Sequence, residues 1–308
     1  MDGIKLKLRQ TLTFIALMLL SLIALMLGLQ FFPVDDGVSV GMLKLLQLLQ
    51  SALVFIVPAL LWSKIFTGTM FEGLWLQNRP KTKDVCLVVL LMIVAVPAIN
   101  FLGWLNSQIS LPAFMEETEQ WMQQLERQAE EMTFKLLSGT DVTDLLVNLL
   151  VIALVPAIGE EMTFRGVLMH IFTNKTTPAI DKPFTTVSMS DSTNGRAYYH
   201  ISIWVCAIIF SFIHFQFYGF FPRMFIGALF GYLLFYSGSL WLPVAAHFTN
   251  NAIVVLTTYI YQVSTGKPLE EMQDLGTAST WWVGLVSLVV AFCGFYLLLR
   301  PKKKNLVK

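Results

Sequence analysis

Apolar residues run through this chain in long blocks, separated by short polar stretches. A helix that spans a bilayer needs about 20 mostly apolar residues. Eight blocks approach or exceed that length, at roughly 12–32, 42–62, 84–106, 142–171, 199–217, 221–237, 240–262 and 280–300. They predict an all-α fold, a multi-pass membrane bundle of about eight transmembrane helices. Lys5, Lys7 and Arg9 precede the first block, as they would in a signal peptide. Its apolar run is long and no small-residue cleavage site follows, so it reads as a retained anchor. Pro58 and Pro156 fall inside blocks and are expected to kink their helices. No matching pair of Gly/Pro-broken helices and no repeated halves stand out.

Between the third and fourth blocks the pattern changes. Over 107–140, Glu116, Glu117, Glu119, Glu126, Glu130 and Glu131 alternate with Phe114, Trp121, Leu125, Met132 and Leu136. The apolar residues recur at helical spacing, which predicts an extramembrane amphipathic helix. It either lies along the interface or serves as a solvated connector; interfacial helices are more often basic than acidic. Residues 173–197 are polar, contain DSTNGR, and read as a loop. The chain thus divides into a three-span region with its connector (1–139), a core (140–262), and a last span with a basic tail (263–308).

Composition agrees with lipid as the solvent. Charged residues make up 13% of the chain, about half the share in soluble domains. A net charge of +1 implies no bulk attraction to nucleic acid, so the expected partners are the lipid bilayer and whatever the site binds. Cys86, Cys206 and Cys293 all lie in apolar runs and are expected to be buried packing residues, without a disulfide framework. Lys and Arg mark orientation. They gather at the N-terminus, at 64–83, at 175–196 and in the tail. With eight spans these all face one side, which predicts a cell-membrane protein with both termini cytoplasmic. Asp35, Asp36, Glu270, Glu271 and Asp274 then face the other side.

Charges inside such blocks are costly and are functional candidates. The fourth block carries Glu160, Glu161 and Arg165. Glu161 and Arg165 are four apart and share a helix face; Glu160 lies about 100° round from Glu161. One carboxylate can pair with the arginine while the other faces elsewhere. The fifth block holds His214, with Phe210 one turn earlier, in FSFIHFQF. The seventh holds His247 and Asn251, four apart, with Asn250 pointing elsewhere. His170 and His200 lie near span ends and read as ordinary interfacial residues. The set suits hydrolysis. A carboxylate can take a proton from water, one histidine can hold that water, and a second histidine and an amide can donate to an oxyanion. Equally, Glu160, His214, His247 and Asn251 could ligate a divalent ion such as Zn2+. By the span limits, Glu160, His214 and His247 lie about 17, 23 and 10 Å from the cytoplasmic ends of their helices. Tilt or helix extension would have to bring them together; a site in the cytoplasmic half is expected.

EEMTFR, FSFIH and HFTNN resemble the EExxxR, FxxxH and HxxxN motifs of the CPBP family, the CAAX prenyl endopeptidases and bacteriocin-processing (Abi) proteins. The resemblance covers about residues 140–262. It implies an all-helical intramembrane endopeptidase acting on a peptide or protein substrate that is lipidated or held in the membrane. By motif, Glu160 would activate water with His214, His247 and Asn251 would stabilise the oxyanion, Arg165 would hold the glutamates, and Glu161 would assist. Members are described both as metalloproteases and as metal-independent glutamate proteases, so Zn2+ stays open. The long polar loop at 173–197 departs from the family pattern and bears on substrate access. The competing reading is a non-enzymatic membrane protein, either a proton-coupled transporter or a regulatory scaffold.

Overall fold

The computed structural model describes residues 2–30, 39–173 and 193–300, with side chains at 3–30, 39–173 and 198–300. Asp35, Asp36, the stretch 174–192 and the tail beyond Arg300 lie outside the described residues. The described residues form helices and no strand. Six helices are long and apolar enough to cross a membrane. We label the main helices α1 (Asp2–Leu29), α2 (Val40–Thr67), α3 (Thr82–Ser107), α4 (Glu116–Leu137), α5 (Val142–Phe172), α6 (Thr193–Phe212), α7 (Phe220–Ser237), α8 (Trp241–Thr265) and α9 (Trp281–Leu299). All eight predicted spans are helical. The two outside the group of six are α6, whose apolar part is Tyr198–Phe212, and α8, which is 25 residues long but interrupted by His247, Thr249, Asn250 and Asn251. The expected amphipathic helix is α4.

The two prolines reshape the helices before them, and in the same way twice. A proline nitrogen cannot donate, so the helix before it must redistribute its bonds. Before Val57-Pro58-Ala59, residues Ser51–Ile56 form a π-helical stretch and the Val57 N–H reaches Ala52 O. Before Val155-Pro156-Ala157, residues Leu149–Leu154 do the same and the Val155 N–H reaches Leu150 O. The expectation that no two broken helices match therefore does not hold. Both spans nevertheless continue through the break. The α2 break packs on α5 at Gly159, just past the second break, where a Cβ would lie 3.0 Å from Phe55 Cβ and 3.1 Å from Ser51 O. The missing side chain lets α2 and α5 approach closely there.

Two apolar clusters frame the interior. One joins Trp62, Trp75, Met162, Ile203 and Leu234; the other joins Val88, Met92, Phe230, Leu233 and Leu242. Between α2 and α3, the segment 68–81 folds inward under the α7–α8 turn. Asn78 Nδ2 donates to Gly238 O (2.8 Å), Leu240 N to Trp75 O (3.2 Å), and Trp241 Nε1 to Leu76 O (2.7 Å). Ser239 and Leu240 are consequently buried. His170 is not interfacial as expected. It is buried with its ring 5.2 Å from Trp62 and 5.6 Å from Trp75. The cysteine expectation needs correction too: Cys206 is buried, but Cys86 and Cys293 are free thiols on the exposed surface of their helices.

Candidate active site

Glu161 sits at the centre of a closed polar knot. Its Oε1 accepts from Arg165 Nη1 and from His247 Nδ1, both at 2.8 Å. Glu161 is 0% exposed and Arg165 1%. A buried charge is tolerated only when paired and hydrogen-bonded. Arg165 meets that condition on several sides: Nη2 donates to Gly227 O at 2.8 Å, and the Phe210 and Phe230 rings cover the guanidinium at 4.7 and 5.4 Å. These cation–π contacts replace part of the lost hydration. Gly227 makes the approach possible, since a Cβ there would lie 3.2 Å from Phe210 Cδ1 and 3.3 Å from Arg165 Nη2.

Glu160 faces differently, as the helix geometry requires. Its side chain keeps 16% exposure, and its Oε2 lies 3.8 Å from His247 Nε2. That gap exceeds a hydrogen bond, so neither atom is tied to the other. His247 therefore links the two carboxylates, with one ring nitrogen fixed by Glu161 and the other turned toward Glu160. Phe230 stacks on its ring at 5.2 Å.

His214 lies just beyond α6, in the turn after Phe212, and not deep in a span as expected. The reason is local. Its Nδ1 donates to Phe210 O at 2.6 Å, which closes the helix end, and Phe215 takes φ 53°. Because Nδ1 carries the hydrogen given to a carbonyl, the neutral ring has a lone pair on Nε2. Phe210 touches both histidines, His214 at 4.9 Å and His247 at 5.9 Å. Asn106 pins the turn by donating to Phe217 O and accepting from Phe221 N, each at 3.0 Å.

Arg223, in the first turn of α7, was not among the predicted site residues. It lies within electrostatic range of both Glu160 and His214. Gln216 holds it through Oε1 at 2.7 Å and its backbone oxygen at 3.3 Å. The signal was present in the sequence: Arg223 is the sole Arg or Lys between Arg196 and Lys267. Helix α4 covers this end of the bundle. The Trp121 and Phe217 rings lie 5.6 Å apart, and Glu126 Oε2 accepts from the Tyr218 N–H at 3.3 Å. Burial pushes the Glu126 carboxyl above its usual range, against the opposing pull of the Tyr218 N–H and Arg223.

The apparent mismatch in depth is resolved by the staggering of helix ends. Glu160 lies twelve residues, about 18 Å, from Phe172, while His247 lies six residues, about 9 Å, from Trp241. Their side chains still meet, because α8 starts inside the bundle on the buried Gly238–Leu240 turn. His214 and Arg223 occupy the α4 end, opposite the 68–81 segment. The expected placement of the whole site in the half nearer that segment is thus corrected.

Asn251 is bonded to residues outside the other five. Its Nδ2 donates to Ile152 O at 3.3 Å, and its Oδ1 accepts from Asn250 Nδ2 at 3.2 Å. Asn250, expected to point elsewhere, is its neighbour. The metal alternative required Glu160, His214, His247 and Asn251 to converge. Among the described residues, no three His, Cys, Asp or Glu side chains form a group able to hold a metal ion. Asn251 gives one N–H to a backbone carbonyl, and its Oδ1, the atom that would ligate, accepts from Asn250. As placed, these four residues do not converge on one ion.

Residues 142–253, which contain every residue of this cluster, match the family described as type II CAAX prenyl endopeptidase Rce1-like. Over that part, the chain is similar to the CAAX-protease family. No curated protein and no solved structure matches it. With six helices apolar enough to span, it is an integral membrane protein. The family so matched is one of CAAX prenyl endopeptidases.

Proposed function

We propose that the chain hydrolyses a peptide bond in a membrane-held or lipidated substrate, with Glu160 as the base. One observation carries this: of two adjacent glutamates, Glu161 is locked between Arg165 and His247, whereas Glu160 is partly open and turned toward the unbound nitrogen of the same histidine. A water at Glu160, oriented by the lone pair of His214 Nε2, attacks the scissile carbonyl carbon. Its proton passes to Glu160. His247 Nε2, when protonated, donates to the oxyanion. As the C–N bond breaks, Glu160 returns its proton to the leaving amine. Glu161 and Arg165 position His247, and Arg223 sets the charge around Glu160 and His214. Residues 140–262 form the catalytic unit. With both termini in the cytoplasm of a cell membrane, the α4 end faces away from the cytoplasm.

The test uses purified protein in lipid, a set of lipidated and membrane-spanning fluorogenic peptides, and Glu160→Gln. The amide keeps the shape and cannot accept the proton, so cleavage should fall by about 10²–10⁴ with insertion and melting unchanged. Full cleavage by Glu160→Gln would overturn the mechanism.

A further inference from the structure

A cleft of about 460 Å³ lies where α3 begins, lined by Leu76, Arg79, Pro80, Thr82, Val85 and Trp241. It is separate from the candidate active site. Helix α3 runs 26 residues from this cleft, about 39 Å, and ends beside the His214 turn, where Asn106 bonds Phe217 O. The chain on either side of Arg79 is held. Asn78 Nδ2 donates to Gly238 O, and the Asn78 carbonyl accepts from Ser239 Oγ. Pro80 fixes the backbone after it. Trp241 Nε1 donates to Leu76 O, which sets the indole as a wall of the cleft. Arg79 itself is exposed, and among the described residues no hydrogen bond or ion pair engages its guanidinium. Lys81 and Lys83 stand exposed close by in the chain, and among the described residues neither has an ion-pair partner. Asp84 is the one acidic residue between 73 and 115, and it forms no ion pair with the three cations.

The surroundings select the anion that such a cleft would take. Leu76, Pro80, Val85 and Trp241 make most of the lining apolar. Along α3, Lys83 is followed at helical spacing by Cys86, Leu90 and Ile93, all exposed. A lysine thus tops a stripe that faces hydrocarbon. An exposed Trp at a span end marks the headgroup level of a bilayer. A dissolved phosphate would use the cations alone. A phospholipid would use both parts, with its phosphate at Arg79 and an acyl chain along the stripe.

We infer that this cleft binds the phosphate headgroup of an anionic phospholipid from the leaflet on its side, and that the bound lipid clamps the segment 68–81 against the starts of α3 and α8. The Arg79 guanidinium offers a planar fork that matches phosphate oxygens. Lys81 and Lys83 add charge that favours an anionic lipid over a zwitterionic one. The clamp has something to hold: α8 rests on this segment through the bonds of Trp75, Leu76 and Asn78 to the 238–241 turn. The inference does not depend on the proposed peptidase reading.

The experiment melts the full chain in mixed micelles that carry either phosphatidylglycerol or phosphatidylcholine at equal content. A ligand that binds only the folded state raises its melting temperature. Phosphatidylglycerol should raise the wild-type Tm above its value in phosphatidylcholine by about 2–4 °C. Arg79→Gln should melt within about 1 °C of wild type in phosphatidylcholine and keep less than about half of the phosphatidylglycerol gain. Lys135→Gln, which removes an exposed lysine from α4 at the other end of the bundle, should keep all of it. Inorganic phosphate added to the phosphatidylcholine micelles should give no gain. No gain in the wild type, an undiminished gain in Arg79→Gln, or an equal loss in Lys135→Gln overturns the inference. A gain from inorganic phosphate as large as that from phosphatidylglycerol would make the ligand a dissolved anion and overturn the lipid assignment. Should Arg79→Gln not fold, native mass spectra of the wild type decide: phosphatidylglycerol adducts must survive activation that strips phosphatidylcholine, and equal or reversed retention overturns the inference.

Discussion

Glu161 and Glu160 are consecutive in the chain and occupy opposite kinds of surroundings. Glu161 has no exposure, a 2.8 Å bond to a buried guanidinium and a second to a histidine. Glu160 has a partly open side chain and a histidine nitrogen at 3.8 Å. The first uses its charge to hold other groups still. The second has no such bonds and stays partly open. One helix turn can therefore carry a locked carboxylate and an open one together, because 100° of rotation separates them and only one face meets Arg165.

The contrast predicts its own strongest break. Glu161→Ala leaves the Arg165 guanidinium buried without its partner, which costs about 3–5 kcal/mol. A large drop in melting temperature, or failure to recover folded protein, is expected. Glu160→Ala should melt within about 1 kcal/mol of wild type while losing cleavage. If the two variants melt alike, the division of labour is wrong.

His214→Ala sharpens the open side. Its ring bonds one carbonyl and caps one helix end, so cleavage should drop by about 10²–10⁴ with a melting change of about 1 kcal/mol or less. A melting loss as large as that of Glu161→Ala would make His214 part of the scaffold.

Gly227→Ala probes the closed side more gently. The added methyl must displace Phe210 or Arg165 by a few tenths of an ångström, at an expected cost of about 1–3 kcal/mol. Unchanged melting would show that the covering of Arg165 is slack.

The smallest expected effect is at Glu126. Its carboxyl binds a proton more tightly folded than unfolded, so in the window just above the ordinary carboxylate range the native state holds more protons and stability falls as pH rises. Glu126→Gln should flatten that slope in a pH series of melting curves. Because the residue is half-exposed, solvent screens the effect. A slope unchanged by the substitution would assign it to another group.

Much of this was legible in the sequence for a physical reason: hydrocarbon demands long apolar helices and makes every charge within them conspicuous. The spans, the amphipathic α4 and the pairing of Glu161 with Arg165 follow from local spacing. Arg223 was equally conspicuous as an isolated charge.

The sequence by itself determined which residues are polar at depth and which of them share a helix face, since both depend on neighbours within one turn. Only the tertiary structure decided which helices meet and at what height. The inward fold of 68–81 raises the start of α8, so His247 reaches Glu160 despite unequal counts from the helix ends. The capping bond of His214 ends α6 early and places that ring in a turn. Asn251 of α8 turns its amide to the Ile152 carbonyl of α5. Each outcome depends on a partner far along the chain or on a local bond that breaks the helix, and helical periodicity contains neither.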